Sequence, residues 1–394
     1  MQKNSPMGHP MRQLIMGTVL MLFFGLIYAW SVFAVPIEKD LNWIRSQTTL
    51  VFSSSMFSFC MGSILGGLYR KKPRILLAVC ACLFLAGFLA ASQSRSLAWA
   101  CLSYGLLCGT GVGLGYNVLL SSVSKWFPDR SGICSGTLLL GFGFGALLLG
   151  MPVNNLIGAS GWRTAFVILA GVFACITGLG ALFLRIPGEK EIINPMPLNT
   201  APELSPKEII RKKVFWFGFT RGILTVTISL TIIGNVVHIL TEYNVSPRAA
   251  VSMVGLISVA NGMSRFLFGI IFDKYGRRKA LLWSILVILT ALPILLVSGL
   301  QKNQSLMIFS FILIGIGYGG SIAIGAPFVR QMFGNRNFSI NLAVYNLNMV
   351  FASSLSQICG GILRVQFGTY TGVFGVLLAL GIIAVFLTML IIRE

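Results

Sequence analysis

Ionisable side chains inside long apolar runs are costly to bury, so they are the first places to look for chemistry. Arg265 stands in the apolar stretch Val-Ala-Asn-Gly-Met-Ser-Arg-Phe-Leu-Phe-Gly, residues 259–269, with Asn261 four positions earlier. That spacing puts the two side chains one turn apart on one helical face. A guanidinium is a planar fork that takes a carboxylate bidentately, and a neighbouring amide can fill the remaining hydrogen-bonding positions. The bland alternative is snorkelling, because roughly 10 Å of helix separates Arg265 from Phe272 at the end of the run. Arg221 lies at similar depth in another run, without such an amide neighbour, and is a possible second cation. All ten acids (Glu38, Asp40, Asp129, Glu189, Glu191, Glu203, Glu208, Glu242, Asp273 and Glu394) fall in loops, termini or the ends of runs. Buried cations without buried acids call for an anion from elsewhere, and the same pattern disfavours a carboxylate proton relay.

A second layer of candidates is neutral. Asn341, Tyr345 and Asn348 stand at i, i+4 and i+7, and Tyr28, Tyr116 and Tyr318 sit among glycines. Tyrosines can enclose a small anion, donate O–H bonds to it and exclude water. The segment Gly-Ile-Ile-Phe-Asp-Lys-Tyr-Gly-Arg-Arg, residues 269–278, has another character. There Asp273 and Arg277 close an apolar run and could latch a neighbouring helix end; the alternative is plain anchoring of a basic loop. The counterpart in the first half has Tyr69 where the acid would stand, so any latch is asymmetric. No Cys-x-x-Cys pair occurs among the eight cysteines, and no metal cluster or nucleophile–base spacing is evident. Neither a metal, a cofactor nor a catalytic residue is expected, and the chain does not read as an enzyme.

The elements that must position these residues follow from composition. Of 394 residues, 56% are hydrophobic and only 10% charged, with a mean hydropathy of +0.85; a soluble chain carries about 25% charged residues. At about 20 residues per crossing, the apolar runs give spans near 14–36, 47–69, 75–93, 97–124, 132–157 and 163–184, then 214–240, 249–272, 280–299, 304–329, 337–363 and 369–392. The expected fold is an all-α polytopic membrane protein of twelve transmembrane helices in two six-helix pseudo-repeats, residues 1–186 and 214–394, joined by a polar linker over 187–213. With the N-terminus inside, inner segments hold 21 of the 30 Lys and Arg, outer ones 7, and 2 lie within spans. That bias places both termini and the linker in the cytoplasm. The net charge of +20 is spread between apolar runs and gathers on no soluble face, so no nucleic-acid partner is expected. The halves also align on each other: residues 105–127 match 311–333 without gaps, bringing Gly109, Gly111 and Gly113 onto Gly315, Gly317 and Gly319. Parallel repeats of six helices require this pairing of spans 4 and 10.

These features together resemble the major facilitator superfamily, most specifically through Gly269-x-x-x-Asp-x-x-Gly-Arg-Arg278 between spans 8 and 9. Within it, Gly25-Leu-Ile-Tyr-Ala-Trp-Ser-Val-Phe33, Gly111-Val-Gly-Leu-Gly-Tyr-Asn117 and Asn261-Gly-Met-Ser-Arg265 resemble the oxalate:formate antiporter family, which is also like the monocarboxylate transporters. The resemblance implies rocker-switch alternating access to a central cavity and transport of small carboxylates, with Arg265 matching an arginine of span 8 that binds the substrate. The family's oxalate carriers also place a lysine in span 11, where this chain has Asn348. One cationic fork suits one carboxylate, so the expected cargo is a monocarboxylate of lactate, pyruvate or formate size. The runner-up is dicarboxylate exchange of the oxalate:formate type, or a carrier of neutral or drug-like cargo. Expected partners are the substrate, the lipid of a plasma or bacterial inner membrane and a counter-anion or proton; the expected state is a monomer.

Overall fold

The computed structural model describes residues 8–69, 72–187 and 202–394. Lys3, Arg70, Lys71, Lys190 and residues 188–201 of the expected linker lie outside the described residues. Every regular element among the described residues is helical, as hydrocarbon demands: with no water to bond N–H and C=O groups, the backbone must satisfy itself within each segment. In chain order the helices are α1 (Gly8–Phe24), α2 (Trp30–Leu41), α3 (Arg45–Leu68), α4 (Pro73–Ser92), α5 (Leu97–Ala100), α6 (Gly109–Val123), α7 (Ser131–Phe183) and α8 (Pro206–Ile209). They continue as α9 (Lys213–Ile233), α10 (Val236–Glu242), α11 (Pro247–Gln301), α12 (Gln304–Phe333), α13 (Phe338–Asn346), α14 (Asn348–Gln357), α15 (Arg364–Phe367) and α16 (Tyr370–Arg393). A 3₁₀ turn, Gly25–Ala29, joins α1 to α2, and a π-helical stretch, Cys101–Cys108, joins α5 to α6.

Nine helical stretches among the described residues are long and apolar enough to cross a membrane, and two of them, Pro128–Phe183 and Ser252–Gln301, run to 56 and 50 residues. A crossing takes about 20 residues, so each of these holds two. The reversal falls at Gly161 (φ +80°) in α7 and Gly276 (φ +81°) in α11, backbone conformations that a side chain would oppose. The expected boundaries at 157/163 and 272/280 bracket these glycines. The stretch expected as one helix over 337–363 is instead broken at Leu347 between α13 and α14, then passes into a π-helical turn, Ile358–Leu363. Its Asn and Ser content gives the backbone competing partners. The fold is that of an all-α polytopic membrane protein with twelve spans in two repeats.

By packing, the chain forms two compact units: residues Met1–Arg130, Thr137–Pro202 and Asn335–Val344 in the first, and Ser131–Gly136, Glu203–Gly334 and Tyr345–Glu394 in the second. The core of the first is aromatic: Phe33 stacks on Phe166 with centroids 4.9 Å apart, and Phe84 meets Phe24 and Phe173 at 5.4 and 5.3 Å. The core of the second is largely aliphatic, built on Ile228, Ile232, Leu292, Leu295 and Leu377 with Phe311 and Phe374. In the second unit, the segment before α9 docks where Leu204 N–H donates to Phe333 C=O at 3.1 Å. A capping box follows, with Ser205 N–H donating to Glu208 Oε2 at 2.6 Å. These bonds, first the Ser205 hydroxyl and then its N–H, hold the Glu208 carboxyl below its ordinary range.

The paired glycines do equivalent packing in the two units. On α6, Gly109 and Gly113 face the backbone of α3 at Ser55 and Phe59, and Gly111 faces Phe84 of α4. On α12, Gly315 and Gly319 face the first span of α11 at Ile257 and Asn261, and Gly317 faces Ile288 in its second. Small residues allow this approach because there is no bulk to hold the backbones apart. A Cβ on Gly113 would stand 2.6 Å from the Phe59 carbonyl carbon, whereas one on Gly171 would meet nothing within 4 Å. Gly113→Val is therefore expected to cost about 1–3 kcal/mol through overpacking, while Gly171→Val leaves stability unchanged. Melting of the two purified variants in the same detergent checks the difference.

Candidate functional site

Arg265 and Asn261 project from the first span of α11 within the second unit. Arg265 is only 2% exposed, so its guanidinium lies inside the protein and is not spread into solvent or lipid. Asn261 is half-buried, and its Oδ1 has no hydrogen-bond partner among the described residues. Two glycines bring helices against this segment. A Cβ on Gly319 of α12 would stand 3.0 Å from Asn261 Oδ1, and one on Gly136 of α7 would stand 2.6 Å from the Arg265 carbonyl oxygen. Ser264, between the two, turns its hydroxyl back onto Asn261 C=O at 2.9 Å.

Arg221 of α9 is also 2% exposed, but it is held by neutral groups: Nε donates to Thr388 Oγ1 at 3.0 Å and Nη2 to Ser284 Oγ at 2.6 Å. Those hydroxyls come from α16 and the second span of α11, 167 and 63 residues away, and no sequence pattern marks them. Tyr345 lies beside Arg221 in the wall of one cavity and donates its O–H to Gly218 C=O at 3.1 Å. Asn348 packs on Gly222, whose Cβ would be 2.6 Å from Asn348 Nδ2. Together with Thr227 Oγ1 bonding Ala352 C=O at 3.3 Å, these contacts make a polar seam between α9 and α13–α14. Tyr318 packs on Val226 and Ala352 of the same region. In the first unit Tyr28 and Tyr116 converge on one ring, Phe142, at centroid distances of 5.3 and 5.2 Å. Asn341 falls in the first unit and Tyr345 and Asn348 in the second, so the i, i+4, i+7 stripe is divided between them.

Asp273 receives two backbone donors, Gly132 N–H at 2.8 Å and Ile133 N–H at 2.7 Å. These N–H groups stand in the first turn of α7, where the helix dipole favours an anion. Arg277 instead directs Nη1 to the Met332 sulphur. In the first unit the corresponding task falls to Asn117 of α6, the last residue of the Gly111–Asn117 motif. Its Nδ2 donates to Ser339 C=O at 2.9 Å and to Ser63 Oγ at 3.2 Å, and Ser339 Oγ donates back to Asn117 Oδ1 at 2.5 Å. Tyr69, at the position of the missing acid, is exposed. The first turn of α7 is thus held by a carboxylate and that of α13 by an amide. Asp273→Ala should lose about 1–2 kcal/mol of capping, and the buried Cys134 in that turn should alkylate about tenfold faster. Asp273→Asn, keeping one acceptor, should fall between. Mass-spectrometric labelling of Cys134 measures this, and an unchanged rate in a folded variant would show that the carboxylate does not hold the turn.

No group of His, Cys, Asp or Glu among the described residues could hold a metal ion. The family model described as Major Facilitator Superfamily matches residues 15–237 and 222–394. The chain is 26% identical over 346 residues to the uncharacterized MFS-type transporter YhjX of Escherichia coli (strain K12), covering 86% of this chain and 85% of that one. It is 23% identical over 378 residues to the oxalate:formate antiporter of Oxalobacter formigenes, covering 94% and 88%. Against monocarboxylate transporter 13 of Rattus norvegicus the identity is 22% over 363 residues, covering 90% and 82%. Among solved structures, the proton:xylose symporter XylE superposes with a TM-score of 0.75 at 16% identity over 97% of this chain and 95% of that one. The match to the family model spans nearly the whole sequence, and the chain belongs to the Major Facilitator Superfamily.

Proposed function

We propose that this transporter moves small monocarboxylates of lactate, pyruvate or formate size, with Arg265 as the residue that takes the carboxylate. The observation that carries the reading is the pairing of a guanidinium 2% exposed with a carboxamide one turn away whose Oδ1 is unbonded among the described residues. A carboxylate on the guanidinium fork neutralises the buried charge through two parallel N–H···O bonds. The Asn261 amide then serves the neighbouring part of the cargo, and its Oδ1 can accept the hydroxyl of a 2-hydroxy acid. No lysine occurs between Phe338 and Leu363, where a second carboxylate would need one, so a dicarboxylate would leave one charge facing amides and tyrosines. The tyrosines Tyr28, Tyr116, Tyr318 and Tyr345, with Asn348, are proposed to shape and dry the path.

Movement is proposed to be rocker-switch alternating access, with the Asp273 carboxylate, backed by the basic loop that includes Arg277, latching one state. All acids sit at run ends or in loops, which favours anion exchange, or symport in which the proton rides on the cargo. The chain is proposed to act as a monomer in a plasma or bacterial inner membrane with both termini cytoplasmic, in keeping with the Lys and Arg bias. Proteoliposomes loaded with L-lactate test the reading through uptake of labelled lactate, formate and oxalate. Arg265→Gln should cut monocarboxylate exchange by at least about 30-fold. Asn261→Leu should raise the half-saturating lactate concentration about tenfold and leave formate, which lacks the hydroxyl, unchanged. Oxalate exchange faster than that of lactate, or full activity in Arg265→Gln, would overturn the assignment.

A further inference from the structure

The segment Asp273-Lys-Tyr-Gly-Arg-Arg-Lys279, at the reversal within α11, carries four cations in six residues. Among the described residues, Lys274, Arg278 and Lys279 form no ion pair or hydrogen bond, and the neighbouring Asp273 is engaged by the Gly132 and Ile133 N–H groups. Like charges repel and would ordinarily spread apart in water. Here two are gathered: the Lys274 and Lys279 ammonium groups lie 5.4 and 5.6 Å from the centroid of one ring, Tyr275. The ring attracts each cation through its quadrupole, yet a neutral ring cancels neither charge. Tyr275 and Trp283 are each 42% exposed, and their centroids lie 5.4 Å apart. Trp283 stands roughly 10 Å of helix beyond Gly276, so the ring pair runs from the charged turn onto the apolar span. Leu286, one turn further along, is exposed on the same face. Exposed Tyr and Trp rings at the end of an apolar run mark headgroup level.

Charge and polarity narrow the partner. Two ammonium groups on one exposed ring, beside an exposed apolar strip within the membrane, match a molecule with a phosphate at one end and acyl chains at the other. A zwitterionic headgroup would bring a third cation to the same place, whereas an anionic one brings only negative charge. We infer that Lys274, Lys279, Tyr275 and Trp283 form a surface that holds an anionic phospholipid, its phosphodiester between the two ammonium groups and an acyl chain along Trp283 and Leu286. The lipid supplies the negative charge that this segment lacks and holds the Gly276 reversal at headgroup depth. Arg277, turned toward the Met332 sulphur, takes no part. The assignment does not depend on what the transporter carries.

The test places the purified full chain in phosphatidylcholine nanodiscs with an increasing fraction of brominated phosphatidylglycerol or brominated phosphatidylcholine, whose bromines quench tryptophan on contact. The chain has seven tryptophans, so the signal read is the difference between wild type and Trp283→Phe. Half-quenching of that component should need at least about fivefold less phosphatidylglycerol than phosphatidylcholine. Lys274→Gln with Lys279→Gln should bring the two lipids to parity, while Lys274→Arg with Lys279→Arg keeps the preference. Lys212→Gln with Lys213→Gln, which neutralises an exposed pair at the start of α9, should leave the preference intact. All four lysines are exposed, so these variants should melt as the wild type does. Parity between the lipids in the wild type would overturn the surface, as would a preference that survives loss of Lys274 and Lys279. A preference that falls as far without Lys212 and Lys213 would reduce it to general surface charge and refute the site. Relief of quenching by soluble glycerol phosphate would assign the lysines to free phosphate esters and overturn the lipid assignment.

Discussion

The structure depends on one constraint: polar atoms inside a hydrocarbon layer must find partners within the protein. The backbone meets it by staying helical, and hydroxyls meet it by folding back onto the preceding turn, as Thr225 and Ser229 do toward the carbonyls of Arg221 and Thr225. Charged side chains cannot be satisfied so cheaply. The chain responds by keeping carboxylates at run ends, where helix N-termini can take them, and by burying Arg221, Arg265 and Arg330 in the second unit. Asp273 shows the first solution, with both oxygens engaged by N–H groups at the start of α7.

Arg221 and Arg265 share burial but not surroundings. Arg221 is tied by hydroxyls from two other helical segments, which fixes its fork in place. Arg265 lies beside an amide on its own helix and is approached closely by glycines of α7 and α12. Surroundings, not burial, distinguish the two side chains. The same logic separates the two helix starts: a carboxylate cap is charged and strong, whereas the Asn117–Ser339 pairing is neutral, so the repeats are alike in packing and unlike in electrostatics.

The twelve spans, with bounds that bracket Gly161 and Gly276, the repeat through the glycines of α6 and α12, and the identity of Arg265, Asn261 and Asp273 as unusual residues were legible in the sequence. Composition and hydrophobic run length act locally, whereas the positive φ of the two glycines belongs to the structure. What only tertiary structure decided was partnership. Ser284 and Thr388 are ordinary hydroxyls until packing sets them against Arg221, and Asn117 gives no sign in sequence that it secures the start of α13. The division of packing between Val344 and Tyr345 likewise assigns Asn341 to one unit and Tyr345 and Asn348 to the other, although the sequence reads them as one stripe. Sequence determines where charge is costly, because that cost depends on the residue and its apolar surroundings. Which distant atoms offset it depends on how helices pack, and that is settled by shape across 63 to 222 residues of chain.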